Sequence, residues 1–380
     1  MSAVRRVGLM LAAPALAVVF SLAVTSAILL ATGTPPVSTF RQMLDYGQEP
    51  RTLALIVNSA TTYYFAALAV AIGFRMNLFN IGVDGQYRLA ALLAGAVGGA
   101  ISLPAPLHVT VEILTAILVG AMWAGLAGAL KVYRGVSEVI STIMLNFIAT
   151  GVIAYLLTPA RLAVQTQGSN NIGTKPIPPS GQVPGIDLIP DSQLQVYGLV
   201  VLAIAAGVGF WFLVNRTRFG YDLRATGMSE AAAVASGVNV KKMVLSTMLI
   251  SGGLAGLVGM PQLLGSSYTY SLDFPAGLGF TGIAIALLGR NNPIGIAIGA
   301  LLWGFLDNSS QILDLVGVAK EIVLITQGVI VLSVVIAYEL VRRYRVAAQQ
   351  RDVGRELGEA PEPPPPGGGT GGAVTEGVSR

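Results

Sequence analysis

A single histidine, His108, and no cysteine leave this 380-residue chain without the side chains that most often carry metal or nucleophilic chemistry. It contains no H-E-x-x-H pair for zinc, no serine set beside a base and no G-x-x-x-x-G-K-[ST] loop for nucleotide phosphates. His108 is expected in an outer loop, within "LPAPLHVTVE", and Glu112, Glu138, Glu321 and Glu339 fall near the ends of apolar runs, where water or headgroups reach them. What stands deep in those runs is uncharged and polar: Asn58 with Thr61, Thr62 and Tyr63, then Asn146, then Thr326 and Gln327. Such groups suit a hydrogen-bonding pathway for a neutral polar solute; equally, they join helices in lipid, at ~1 kcal/mol each. No catalytic residue, metal site or cofactor is expected in the chain itself.

The elements that must position these residues are membrane spans. Hydrophobic residues make up 53% of the chain, charged residues 11%, and glycine contributes 46 positions, a balance far from that of a soluble domain. Crossing the hydrocarbon core takes roughly 20 apolar residues. Runs near that length lie at 8–31, 52–73, 87–102, 109–130, 137–158, 195–214, 244–264, 276–289, 293–306 and 320–341, the third, eighth and ninth being short. The expected fold is all-α, a polytopic membrane helical bundle of about ten transmembrane helices with some broken or short spans. With the N-terminus cytoplasmic, Arg5, Arg6, Arg75, Arg88, Lys131, Arg134, Arg216, Arg218, Arg224, Lys241, Lys242, Arg290, Arg342, Arg343 and Arg345 fall inside, and Arg41, Arg51, Arg161, Lys175 and Lys320 outside. That asymmetry puts both termini in the cytoplasm of a bacterial plasma membrane. It also accounts for the net charge of +4 without a nucleic-acid partner.

The first run, about 24 residues, exceeds the ~7–15 of a signal-peptide core and is read as a helix. Residues 1–50 are expected to hold that span and an external loop, 51–345 the main membrane domain, and 346–380 a disordered cytoplasmic tail, given "GEAPEPPPPGGGTGGAVTEGVSR". "AALLAGAVGGA", "GAMWAGLAGAL" and "SGGLAGLVG" place small residues at helix-packing spacings. The external segment 159–194, rich in Pro and Gly, is either a linker or an ordered cap.

One stretch fits no span: "RATGMSEAAAVASGVNVKK", Arg224 to Lys242. Ser229 is placed to cap a helix, Glu230 to complement its dipole and Gly237 to end it, giving about two turns on the inner side between the sixth and seventh spans. Its shape suits a groove in a soluble protein; an ordinary interfacial loop is the plainer reading.

These same residues, with "FNIGVDGQYRLAA", "RGVSEVISTIMLNFIATG" and "FTGIAIALLGRNNPIGI", resemble the ABC-importer permeases of the branched-chain amino acid and simple-sugar superfamily, in its nucleoside-type branch. The resemblance, over roughly residues 50–340, implies a permease without ATPase activity and three partners. These are a cytoplasmic ABC ATPase, a second, non-identical permease chain and an external substrate-binding protein or lipoprotein. It implies that Ser229, Glu230, Ala231, Ala232, Ala235 and Gly237 form the ATPase-coupling helix. It further implies that Asn80, Asp84 and Gln86 lie in a broken segment near the solute pathway, joining Asn58, Tyr63, Asn146 and Gln327 as pathway candidates. Span counting instead leaves residues 79–88 at the inner surface, where Asp84 and Arg88, four apart, can pair on one helix face. Nucleosides are the expected solute, simple sugars the alternative within the class, and an autonomous secondary transporter the alternative outside it.

Overall fold

The apolar runs do become helices, of unequal length. The computed structural model describes residues 19–165, 171–315, 322–334, 336–337, 340 and 343. The first part of the first expected span and the tail at 346–380 lie outside the described residues, as do Lys320, Glu321 and Glu339. In chain order the helices are α1 (Val19–Ala31), α2 (Pro36–Gly47), α3 (Pro50–Phe74), α4 (Val83–Ala100), α5 (Ala105–Arg134), α6 (Glu138–Leu156), α7 (Val200–Arg216), α8 (Arg218–Met228), α9 (Glu230–Ala235), α10 (Val240–Gly256), α11 (Met260–Gln262), α12 (Leu278–Leu288), α13 (Pro293–Ser309), α14 (Gln311–Leu315) and α15 (Ile322–Val334). The protein is an all-α membrane bundle, and a helix occupies each of the expected runs. Four of them, α3, α5, α6 and the continuous Val240–Ser267, are long and apolar enough to cross a membrane, or up to six if two bent pairs count as single spans.

Helix α3 is the axis of the bundle, with Phe65 through Ile72 wholly buried among α10, α12 and α13. Its Ala-rich face lets those helices close in. On the other side α5 meets α10 through glycines: a Cβ on Gly120 would lie 2.2 Å from the Gly252 carbonyl, and one on Gly256 2.0 Å from that of Ala116. Backbones this close allow no side chain between them, as the small-residue runs predicted.

Helices α2, α8 and the five-residue α14 were not anticipated, and α2 and α8 are polar and lie across the ends of spans. Helix α2 turns 114° from α1 at Pro35 and Pro36, burying Thr39, Met43 and Gly47 and exposing an Arg41–Asp45 pair 3.8 Å apart. Helix α8 turns 70° from α7 at Thr217, whose hydroxyl accepts from Gly220 N–H at 3.1 Å. The bundle has two ends, the α9 end and the cap end, where the segment after α6 lies.

The segment after α6 is an ordered cap. Strands β1 (Ala163–Gln165) and β2 (Ile172–Thr174) pair antiparallel, and the chain beyond is tied to the end of the Val240–Ser267 span: Thr174 N–H donates to Tyr270 O at 2.8 Å, Ile177 N–H to Tyr268 O at 2.8 Å and Val183 N–H to Leu264 O at 2.9 Å. His108 and Glu112 do not stand in a loop or within reach of water. Both side chains are fully buried on α5 under the cap, Nε2 of His108 lying 3.6 Å from Oε1 of Glu112, with Nδ1 against Ser180 Oγ at 2.9 Å. Burial follows because cap residues 177–182 close over the first turns of α5. Glu138 is also largely buried, paired with Lys131 at 2.7 Å.

Candidate functional site

The most unusual backbone in the bundle lies between α3 and α4. After Phe74 the chain turns at Asn77, with φ 56°, and residues 78–81 run without helical hydrogen bonds, Leu78 and Asn80 buried at 3% and 1% exposure and Phe79 between them turned outward. Non-helical backbone at such depth is tolerated only where its polar groups find partners inside the protein. Here side-chain amides supply them. Asn80 Oδ1 accepts from Gly82 N–H at 3.1 Å and Gln86 Nε2 at 2.9 Å, while its Nδ2 donates to Ser251 Oγ at 2.8 Å. Asn146 Nδ2 donates to Ile81 O at 2.9 Å, and its Oδ1 accepts from Gly85 N–H at 2.8 Å, satisfying an orphan donor of the first turn of α4.

The start of α4 meets the start of α12. Asp84 Oδ1 accepts from the N–H of Gly277 at 2.7 Å, and Gly277, with φ 86°, is the residue from which α12 begins. Arg88 lies one turn above Asp84, Nη1 to Oδ2 3.9 Å, and contacts Thr150 Oγ1 at 3.5 Å; Tyr87 donates to Pro275 O at 2.6 Å. Both N-termini carry partial positive charge, so a carboxylate at their junction is electrostatically favoured. Helix α12 has 11 residues, a length of about 16 Å, or roughly half the ~30 Å hydrocarbon layer. Asp84, its side chain 14% exposed, is thus held inside the bundle where the start of α4 abuts the start of the short α12, and not in a solvated loop.

A second polar group lies across α3, α13 and α15. Tyr63 donates to Oδ2 of Asp307, Gln327 Nε2 donates to Oδ1, and next to them Asn308 Nδ2 reaches Ser59 Oγ at 3.0 Å. Asp307 escaped the sequence reading because the ninth run was ended at 306, one residue short of it. The helix continues to Ser309, and the signal for continuing it was Trp303 and Asp307 at helical spacing.

Thus the seven pathway candidates do not form one site. Asn80, Asp84, Gln86 and Asn146 share the broken segment; Tyr63 and Gln327 meet on Asp307. Asn58 instead holds the cap, Nδ2 donating to Gln195 O at 3.1 Å and Oδ1 accepting from Tyr197 N–H at 2.7 Å.

At the α9 end, Ser229 Oγ accepts from Ala232 N–H at 3.2 Å, and Gly237, with φ 83°, lets Val238 N–H return to Ala233 O at 3.0 Å. Asn239 Oδ1 then caps α10 through Lys242 N–H at 3.0 Å. Glu230, Ala231, Ala232, Ala235 and Gly237 are exposed, only Ala233 is buried, and Val234 and Met228 present apolar side chains at 61% and 88% exposure. Behind α9, Asn77 Nδ2 donates to Gly227 O at 2.7 Å and Arg75 Nη2 to Asn291 O at 2.7 Å, joining the end of α8 to the start of the broken segment and to the α12–α13 turn.

Residues 52–335 match the family described as branched-chain amino acid transport system / permease component. The chain is 34% identical over 331 residues to a guanosine ABC transporter permease protein of Bacillus subtilis, covering 86% of this chain and 93% of that one. It is 31% identical over 340 residues to a glucose ABC transporter permease protein of Haloferax volcanii, covering 88% and 89%. With a nucleoside ABC transporter permease protein of Lactococcus lactis the identity is 27% over 339 residues, covering 86% and 90%. No solved structure matches the chain.

Proposed function

The chain belongs to the branched-chain amino acid transport system / permease component family, and from that premise we propose that it is the membrane subunit of an ATP-driven importer of nucleosides. The observation that carries this reading is α9, a short helix capped at both ends whose side chains, Ala233 apart, point away from the bundle. A helix of two turns is unstable alone. Held between Ser229 and Gly237 and free of tertiary cover, it is built to be covered by another protein, which in this reading is the ABC ATPase. Hydrolysis then belongs to that separate chain. A second permease chain completes the pathway, an external binding protein delivers the solute at the cap end, and α9 and both termini face the cytoplasm.

The route from α9 to the solute is short. The Gly227 carbonyl at the end of α8 is held by Asn77, Asn77 opens the broken segment, and that segment ends on the first turn of α4 at Asp84. A shift of α9 moves the α8 end and with it the backbone under the α4–α12 junction, where Asn80, Asp84 and Gln86 stand. The glucose-permease relative supports a second reading of the solute as a simple sugar.

Reconstitution of the complex tests the class. Uptake is expected to require ATP hydrolysis and to be lost when Val234 is changed to Asp, while the free chain keeps its fold; uptake by proteoliposomes lacking the ATPase would overturn the reading in favour of an autonomous secondary transporter. Binding of guanosine, uridine, ribose and leucine by the cognate external protein tests the solute, and ribose bound with no nucleoside bound selects the sugar.

A further inference from the structure

Asp307 is a partly buried carboxylate between helices of the bundle that no ion pair among the described residues reaches. It stands 14 positions into α13, about 21 Å from that helix's start, and Tyr63 stands about 16 Å from the corresponding end of α3, so the group lies within the length of the bundle and not at the α9 end. Ionisable groups are costly there and are kept for a task. Helix joining alone is served by amides and hydroxyls, as Asn308 with Ser59 and Thr25 with Thr326 demonstrate in this same bundle.

The hydrogen-bond inventory shows what is left over. An ionised carboxylate offers about four lone-pair directions. Tyr63 takes one on Oδ2 and Gln327 one on Oδ1, which leaves one acceptor position on each oxygen. Asp307, Tyr63 and Ser59 are only partly buried, so the group has an open side. Two acceptors a carboxylate's width apart, with an aromatic ring and an amide at the edge, match two adjacent hydroxyl donors. A lone cation would meet a single carboxylate and neutral donors whose hydrogens point the wrong way.

We propose that Asp307, oriented by Tyr63 and Gln327, is a solute-contacting residue that accepts hydrogen bonds from the vicinal diol of a ribosyl group in transit. This deepens the reading above and rests on it, since it supposes that a neutral polyhydroxylated solute crosses this chain.

The test uses the complete importer in proteoliposomes, with guanosine and 2′-deoxyguanosine each at saturating concentration, so that the same binding protein serves every reaction and its preference cancels between variants. Asp307→Asn is expected to slow guanosine uptake about tenfold, in line with the loss of a buried polar contact, and 2′-deoxyguanosine uptake by less than about twofold. Equal losses for both solutes, or no loss for either, would overturn the proposal. Should Asp307→Asn fail to assemble, judged by thermal unfolding of the purified complex, Asp307→Glu is read in its place: a narrowed ratio of the two rates is expected, and an unchanged one overturns it. If the wild type carries ribose and no nucleoside, the nucleoside reading fails by itself, and the same comparison with ribose and 2-deoxyribose decides the role of Asp307.

Discussion

Asn146 reads from the sequence either as a residue lining a path or as one joining helices, and its contacts give it a more definite task. Its amide bridges Ile81 O and Gly85 N–H, two backbone groups with no helical partner. Asn146→Ala is expected to destabilise the protein by about 1–3 kcal/mol, because both groups are left buried and unpaired; thermal unfolding of the purified protein checks it. A shift within error would show that the segment re-forms without the amide. Asn58 does the equivalent for the cap, and Asn80 with Gln86 for the turn into α4. In the proposed pathway, the residues left for solute are those with acceptor capacity to spare, Asp84 and Asp307. That distinction was beyond the sequence, where an amide that satisfies backbone and an amide that faces a solute are written the same way.

At the scale of elements, α9 was legible and α12 was only half so. Caps act within a few residues, and Ser229, Gly237 and Asn239 sit where their side chains or φ values require them. Ser229→Ala is expected to cost about 1 kcal/mol locally, seen as faster amide exchange across Glu230 to Ala235 with the core helices unchanged. Asn77 joins α8 to the broken segment through one hydrogen bond of 2.7 Å, so Asn77→Ala is expected to lower solute carried per ATP hydrolysed while leaving ATPase binding intact. Uptake and hydrolysis measured together check this; a ratio equal to the wild type's would remove Asn77 from the coupling route. For α12 the run "GLGFTGIAIALLG" signalled an apolar helix too short to span. That its N-terminus abuts the start of α4 could not be read from the run, because that partner lies 193 positions away.

For the whole molecule, the absence of native cysteine makes orientation directly testable. In sealed vesicles, a membrane-impermeant maleimide is expected to label Gln193→Cys in the exposed cap and Ala232→Cys on α9 from opposite sides; labelling of both from one side would overturn the proposed topology. The sequence by itself determined that the chain is an all-helical membrane bundle, where its apolar runs lie, and that a short capped helix interrupts them, since span length, charge asymmetry and caps are local quantities. Only the tertiary structure decided which polar groups meet. Asp84 and Gly277 are 193 positions apart, Tyr63 and Asp307 244 apart, and Asn80 and Ser251 171 apart. Such partners are chosen by the packing of α3 against α10, α12 and α13, where small residues set how closely the backbones approach, and no period or spacing along the chain encodes that choice.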